Sequence, residues 1–291
     1  MKKILTVFSL LMVHAAFAQD DLMKELEQSN SNETDYAFQT FKGTRLVNGH
    51  SVETKGEGTL EFIFAHRFGA VNGGLYEMFG LDEALVRLGL DYGITDRLSV
   101  SIGRNSFDKT LDGYAKFKLL RQSKGAVTFP ATVTALGGTA YKTEPKRLQN
   151  GLENIDRLAY VGQLLIARKF TTNFSLQVMP TFIHKNAVSR SIEDNDQVAI
   201  GVGGRIKLTK SVALTSEYYY RLNTLEGNTR NNTLGFGIDI ETGGHVFQLI
   251  MTNTRGLTER AFITETVGDF ADGDIHFGFN VTRTFQLKHK K

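Results

Sequence analysis

Twelve segments between residues 56 and 287 alternate apolar with polar or small side chains. Alternation with a period of two is typical of β-strands whose two faces lie in different surroundings. Strands of soluble proteins usually have about five or six residues, whereas a tilted strand that crosses a bilayer needs ~9–11. Most of these segments have the greater length. The pattern therefore predicts strands that span a membrane.

The connections between the segments alternate in length. Short turns fall at 95–97, 123–125, 171–173, 209–211 and 242–244, and longer loops at 69–83, 142–156, 185–195, 223–231 and 256–273, with a shorter link at 106–110. Short turns at one end and long loops at the other are the plan of outer-membrane barrels. Closure pairs every backbone amide that would otherwise face lipid. We expect an all-β fold, a transmembrane antiparallel up-and-down barrel of about 12 strands.

Four regions are predicted along the chain. Residues 1–18 have two lysines, an apolar run and Ala16-Phe17-Ala18, the pattern of a cleaved signal peptide. Residues 19–55 are an N-terminal segment in the periplasm or at the lumen, 56–287 the barrel, and 288–291 a basic tail. A helical turn is expected near 20–28. Within 36–53 we expect a strand that enters an Asn48-Gly49 turn; pairing of this strand with the barrel in a fourteen-strand closure is the alternative.

If the apolar parity faces lipid, the other parity faces the lumen and carries charges of both signs. The predicted pore-lining residues are Arg67, Arg87, Asp91, Asp112, Lys116, Lys118, Arg205, Lys207, Glu217, Arg221 and Asp239. Buried charges need water or a partner. Two interpretations follow: the charges line a water-filled passage, or they pair across the lumen and close it. Basic residues cluster on two strand candidates, as Lys116 with Lys118 and as Arg205 with Lys207, and would favour anions, whereas the interior carboxylates argue against strong selectivity.

Glycines share the inward parity with these charges. They are Gly89, Gly103, Gly201, Gly203, Gly235, Gly237 and Gly278. They contribute no side-chain volume, which favours open space in the lumen. Strand curvature is an equally good explanation. Aromatic side chains fall instead near the loop-side strand ends, and we predict an upper aromatic girdle. Its members are Tyr76, Phe79, Tyr141, Tyr218 and Tyr220, with Tyr219 beside them.

Composition and motifs point away from several functions. The chain has no cysteine, hence no disulfide or thiolate site. Without Lys2 and Lys3, the 34 basic residues fall to 32 against 31 acidic ones, which does not indicate nucleic-acid binding. The histidines lie on different strands, and no catalytic set converges. Asp269, Asp272 and Asp274 resemble a calcium loop only loosely, so no cofactor or metal is expected.

Three stretches carry a resemblance to a known family. They are FKGTRLVNGHSVET (41–54), GTLEFIFAHRFG (58–69) and FGLDEALVRLGLDYGITDRLSVSIGRNSFDKTLDGYAKFKLLRQ (79–122). The chain resembles an uncharacterised family of Gram-negative outer-membrane β-barrel proteins, catalogued only as a domain of unknown function. The resemblance implies the fold and the outer membrane, and brings no substrate or catalytic set. Many barrels end on an aromatic residue, whereas here QLKHKK follows Phe285.

The function expected from these features is a small passive channel for hydrophilic solutes in the outer membrane of a Gram-negative bacterium. Its partners would be outer-membrane lipid and small solutes. The alternative is a closed-lumen barrel that binds a partner through its loops or N-terminal segment. A membrane-embedded hydrolase and a soluble β-sandwich or lipocalin-like barrel are less favoured. Strand length argues against a soluble barrel.

Overall fold

The computed structural model describes residues 33–143 and 153–288. Fourteen strands and one α-helix are present there. The strands are β1 Thr34–Tyr36, β2 Thr59–Ala70, β3 Ala84–Gly93, β4 Leu98–Asn105, β5 Thr110–Leu120, β6 Ser123–Gly125, β7 Thr132–Lys142, β8 Leu158–Lys169, β9 Phe174–Lys185, β10 Asp196–Lys207, β11 Val212–Arg221, β12 Thr233–Thr242, β13 His245–Thr252 and β14 His276–Gln286; helix α1 is Glu259–Thr264. Short 3-10 segments lie at Val71–Gly80, Phe107–Lys109 and Ile155–Arg157. The predicted signal peptide and the turn near 20–28 lie outside the described residues.

Twelve of these strands close a barrel, as the sequence predicts. Each barrel strand pairs antiparallel with the next one along the chain, and β14 pairs with β2 to complete the ring. Along β3, Leu88 and Leu90 are 45% and 42% exposed on the outer face, while Arg87 and Asp91 are buried inside. The period of two therefore separates an apolar outer face from a charged inner face.

One connection differs from the prediction. Residues 123–125 are not a turn; they form β6, which pairs with the N-terminal strand β1. The next strand of the barrel therefore begins only at Thr132 and continues to Lys142. Ser123 also bridges to Phe129, so the chain folds back at this short-turn end before the next strand starts. The sequence prediction was wrong because the β1 pairing is non-local and leaves no local periodicity.

The N-terminal segment lies inside the barrel. Residues 46–52 are all buried there. Arg45 and His50 form an isolated antiparallel bridge, and the Leu46 amide donates to the Gly49 carbonyl at 2.8 Å. The chain thus turns at Asn48-Gly49. The lumen is one of the two locations that the sequence predicts for this segment. The long strand over 36–53 and the alternative of a fourteen-strand wall were wrong, because the segment bonds mainly to inward-facing side chains of a twelve-strand barrel.

A second piece enters the lumen from the long-loop end. Helix α1 belongs to the connection between β13 and β14, and all six of its residues are buried. Phe262 and Ile263 pack with Phe41, Leu46 and Val52 of the N-terminal segment in one apolar cluster. We call residues 40–53 the N-terminal plug and residues 256–266 the loop plug. Among the described residues, no helix is both long and apolar enough to cross a membrane.

Candidate functional site

The tip of the N-terminal plug is held by one carboxylate of the barrel wall. Glu217 accepts hydrogen bonds from the backbone N–H groups of Val47, Asn48 and Gly49 at 3.1, 2.8 and 3.0 Å. Such charge-assisted bonds are stronger than neutral ones. A Cβ at Gly49 would lie 2.0 Å from the Tyr219 hydroxyl. Only glycine therefore fits at the tip.

Further polar side chains of the wall bind the plug backbone. Lys116 donates to the carbonyls of Thr44 and Glu53 at 3.1 and 2.9 Å. Gln177 accepts from the Val52 amide at 2.8 Å and donates to the His50 carbonyl at 2.7 Å. Because a buried backbone group without a partner costs free energy, these side chains replace the ladder that the segment lacks.

Side-chain contacts add to this attachment. Arg67 Nη2 donates to Asn48 Oδ1 at 2.8 Å, and Thr44 Oγ1 donates to Glu61 Oε2 at 2.8 Å. Lys118 lies 3.4 Å from the Glu53 carboxylate. The plug thus supplies hydrogen-bond or ion-pair partners for Arg67, Glu61 and Lys118 of the barrel wall.

Other predicted pore-lining charges pair with the wall itself. Arg87 forms an ion pair with Asp112, and the Tyr114 hydroxyl donates to Asp91 at 2.6 Å. Arg205 lies 2.5 Å from Glu241 and 3.8 Å from Asp239. Lys207 is half-buried at the short-turn end, and Arg221 is buried near the loops. Both sequence interpretations had the charges meet water or each other, whereas four of the eleven meet the plug: Arg67, Lys116, Lys118 and Glu217.

The two plugs meet at one acidic residue. Glu259 of the loop plug lies 3.0 Å from Arg45 Nη1 and 3.0 Å from His50 Nε2 of the N-terminal plug. Burial lowers the pKa of His50 to about 3, assisted by the charge of Arg45. Burial opposes ionisation of Glu259, but the positive charge of Arg45 and the polar contact with the His50 side chain outweigh it and hold the Glu259 pKa below the usual range. A neutral imidazole and an ionised carboxylate therefore join the plugs.

The inward-facing glycines make room for side chains rather than for an open passage. A Cβ at Gly203 would lie 2.7 Å from Leu46 Cδ1, and one at Gly235 would lie 3.0 Å from Val47 Cγ1. At Gly89 and Gly103 it would meet the Arg87 guanidinium. The interpretation of open space at these positions was wrong. The sequence reasoning missed the matching residues Leu46 and Val47, although two adjacent apolar residues in the polar stretch 42–51 were a usable signal.

A cavity lies on each side of the plugs. The outer cavity, at the long-loop end, has a volume of about 630 Å³ and is lined in part by Asp108, Lys142, Arg230 and Glu265. The inner cavity, at the short-turn end, also has about 630 Å³ and is lined by residues of the N-terminal segment and by Lys118 and Arg121. Both are lined by charges, and the buried plug residues lie between the two ends.

The aromatic residues divide between the two faces. Tyr218 and Tyr220 are exposed on the outer face of β11, whereas Tyr219 is buried in the lumen, as alternation requires. Tyr76 and Phe79 are exposed in the loop after β2, and Tyr141 is half-buried. The girdle itself stays a prediction.

The carboxylates of the weak calcium candidate accept hydrogen bonds from groups in the loops. Asp274 accepts from the Asp269 amide at 3.0 Å and from Asn72 at 2.5 Å, and Asp269 accepts from the Ala271 amide at 2.8 Å. Within residues 33–143 and 153–288, no group of three or more His, Asp or Glu side chains is placed to hold a metal ion.

A closed antiparallel barrel with an apolar outer face and a charged interior defines a membrane β-barrel protein. The chain belongs to the family described as "Membrane bound beta barrel domain (DUF5777)", which matches residues 41–285. The match includes residues 41–53 of the N-terminal plug, so the plug is part of the family domain. The resemblance seen in the sequence is confirmed.

Solved structures with a similar fold include two channels. The KdgM porin is 8% identical, with a TM-score of 0.47 over 78% of this chain and 99% of that chain. An outer-membrane channel from Pseudomonas putida F1 is 15% identical, with a TM-score of 0.45 over 80% of this chain and 98% of that chain. These likenesses concern barrel architecture alone. No curated protein matches the chain.

Proposed function

We propose that this protein is an outer-membrane channel for small hydrophilic solutes that is closed at rest by its two plugs. The observation that carries the proposal is the pair of charged cavities, each of about 630 Å³, at opposite ends of one plugged lumen. Solutes would cross only when the N-terminal plug leaves its seat. The predicted pore-lining charges would then line the passage.

The lengths of the connections support one orientation of the barrel in the outer membrane. Long loops of outer-membrane barrels face outward and short turns face the periplasm. With residues 1–18 as an export signal, the N-terminal plug would enter from the periplasmic side and the loop plug from outside. The outer cavity would then receive solutes from the medium.

Displacement of the plug is physically reasonable because its polar anchors are hydrogen bonds and ion pairs. The partners of Thr44, Asn48 and Glu53 on the wall are charged or polar groups that water can solvate once the plug has gone. No disulfide can tie the segment down, since the chain has no cysteine. The apolar cluster around Leu46 opposes opening and would keep the closed state dominant.

A reversible cross-link tests the proposal. Val47 and Gly235 face each other, with Val47 Cγ1 3.0 Å from the position of a Gly235 Cβ, which suits a disulfide. In planar bilayers, wild-type protein should show infrequent openings. The oxidised double variant Val47→Cys, Gly235→Cys should show none, and reduction should restore them. The matched controls are the two single variants. Current that persists after cross-linking would contradict the plug as the gate.

A second function is favoured by the apolar part of the wall. Leu165, Met179, Ile183 and Tyr219 face the lumen and are buried against the plugs, and exposing them to water would be unfavourable. Such a wall suits a barrel that stays closed and acts as a binding or structural protein. Absence of current in wild type and in every loosened variant would favour this alternative. A lipid-hydrolysis assay tests the membrane-embedded hydrolase directly.

A further inference from the structure

The outer cavity has its acidic residues already paired. Asp108 lies 2.9 Å from Lys142 and 2.8 Å from Arg260. Glu193 lies 2.5 Å from Lys185. Each of these carboxylates therefore has its own cation, and its charge is neutralised locally.

Glu265, the remaining acidic residue that lines the cavity, is neutralised in the same way. It forms an ion pair with Arg260 and lies 3.5 Å from Lys185. Two lysines and one arginine thus account for all three carboxylates of the lining. Arg255, which also lines the cavity, is paired outside it with Glu83 at 2.6 Å.

Among the described residues, two neighbouring arginines have no carboxylate within ion-pair distance, although the negative charge of Glu193 still acts on Arg221. Arg230 lines the cavity, and its Nη1 donates only to the Glu265 carbonyl, at 3.2 Å. Arg221 lies beside it and donates from Nη2 to the Arg230 carbonyl. Arg221 is 6% exposed, and its Nε and Nη1 have no hydrogen-bond partner. Among the described residues, neither guanidinium forms an ion pair.

This arrangement is unfavourable unless an anion joins it. Two adjacent positive charges repel each other, and buried guanidinium donors without acceptors cost free energy. The planar fork of arginine matches the oxygens of a carboxylate or a phosphate. We propose that Arg221 and Arg230 form a binding site for the oxyanion group of a small solute, a carboxylate or a phosphate, in the outer cavity.

The inference rests on the proposed function for its physiological meaning, since it assigns a solute class to the channel. The binding itself does not depend on conduction. The site lies within the ring of loops and not on the apolar outer face, so the anion comes from solution rather than from a lipid headgroup. Saturable binding without any current would reject the channel and keep the site; current without binding would do the reverse.

Calorimetric titration of the full chain, refolded in a sugar detergent, tests the site with inorganic phosphate and with succinate. Wild type should bind at least one of them saturably. Arg230→Gln and Arg221→Gln should each weaken binding about ten- to a hundred-fold, the loss expected for a charge-assisted hydrogen bond. Arg230→Lys should lose less. The matched control is Arg190→Gln, which removes an exposed arginine of a neighbouring loop.

Three results would overturn the proposal: no saturable binding to wild type, equal binding to the Arg230→Gln variant, or competition by added phospholipid. The last would assign the site to a headgroup instead. If Arg221→Gln does not refold, Arg230→Gln decides alone, because residue 230 lies in a loop outside the barrel strands. Heat-modifiable electrophoretic mobility reports whether each variant has formed the barrel.

Discussion

The N-terminal plug touches two kinds of wall. On β8, β9 and β11, Leu165, Met179 and Tyr219 meet its apolar side chains. On β2 and β5, Arg67 and Lys116 hydrogen-bond to it. Water could replace the plug at the second wall at little cost, because charged groups are readily hydrated. At the first wall it could not, because apolar surface is unfavourable in water by about 25 cal/mol per Å².

This difference suggests a division of roles within one interface. The apolar contacts set how rarely the plug leaves, whereas the polar contacts fix where it sits. Hydrogen bonds contribute little net stability but are costly to leave unmade, so they impose a position and a register. Glu217 combines both roles, since it is a charge on the inner face of β11 next to Tyr219 of the apolar cluster. Variants at each kind of contact should therefore change different observables.

The largest effect is expected for Glu217→Leu. The substitution leaves three buried N–H groups at the plug tip without an acceptor. Each unpaired group destabilises the seated plug by about 1–3 kcal/mol. The plug should leave its seat. Labelling of Val47→Cys by a water-soluble maleimide measures this in a chain that has no other cysteine, and the rate should rise strongly.

Glu217→Gln is the graded control, since it keeps one acceptor oxygen and should label at an intermediate rate. Glu226→Leu removes an exposed loop acid and should leave the rate unchanged. If Glu217→Leu labels as slowly as the parent, Glu217 does not hold the tip and the polar contacts are dispensable.

The apolar wall is tested by Leu46→Ala. Leu46 is fully buried in the cluster between the two plugs, and such truncations cost about 2–5 kcal/mol. The frequency of openings in bilayers should increase while the conductance of the open channel stays the same. Leu249→Ala, on the outer face with 54% exposure, is the matched control. Equal openings in both variants would show that the apolar wall does not hold the plug.

The barrel could be predicted from the sequence because its cause is local. Alternation along one strand reports its two surroundings, and turn lengths report the ends. The plug could not be located, because its partners are distant: Val47 bonds to Glu217, and Leu46 fits over Gly203. An inward-facing glycine in a sequence is compatible both with empty space in the lumen and with a side chain packed closely against the backbone. Position along the chain cannot distinguish them.

A smaller effect is expected for Gly203→Ala, which tests whether the close packing of Leu46 against Gly203 contributes to stability. The added Cβ would lie 2.7 Å from Leu46 Cδ1 and 3.0 Å from the Ser216 carbonyl oxygen, and overpacking costs about 1–3 kcal/mol. The thermal midpoint should fall. Gly137→Ala is the control, since nothing lies within 4 Å of its Cβ position.

The double variant Leu46→Ala, Gly203→Ala sharpens this test. If the two side chains compete for one space, the combined loss should be less than the sum of the single losses. Strict additivity would show that Gly203 serves strand curvature instead, as the sequence allowed.

The smallest effect concerns the junction between the plugs and depends on pH. Burial lowers the pKa of His50 from 6.5 to about 3, so the unfolded state binds the proton first. The stability that neutral His50 contributes is complete above pH 6.5 and is lost as the pH falls toward 3. Glu259, whose ordinary pKa is 4.5, adds its own loss only at lower pH, so of the two residues at this junction only His50 contributes between pH 5 and 6.5. The thermal midpoint of wild type should therefore fall across this window more than that of His50→Gln, and parallel curves would show that His50 is not held neutral.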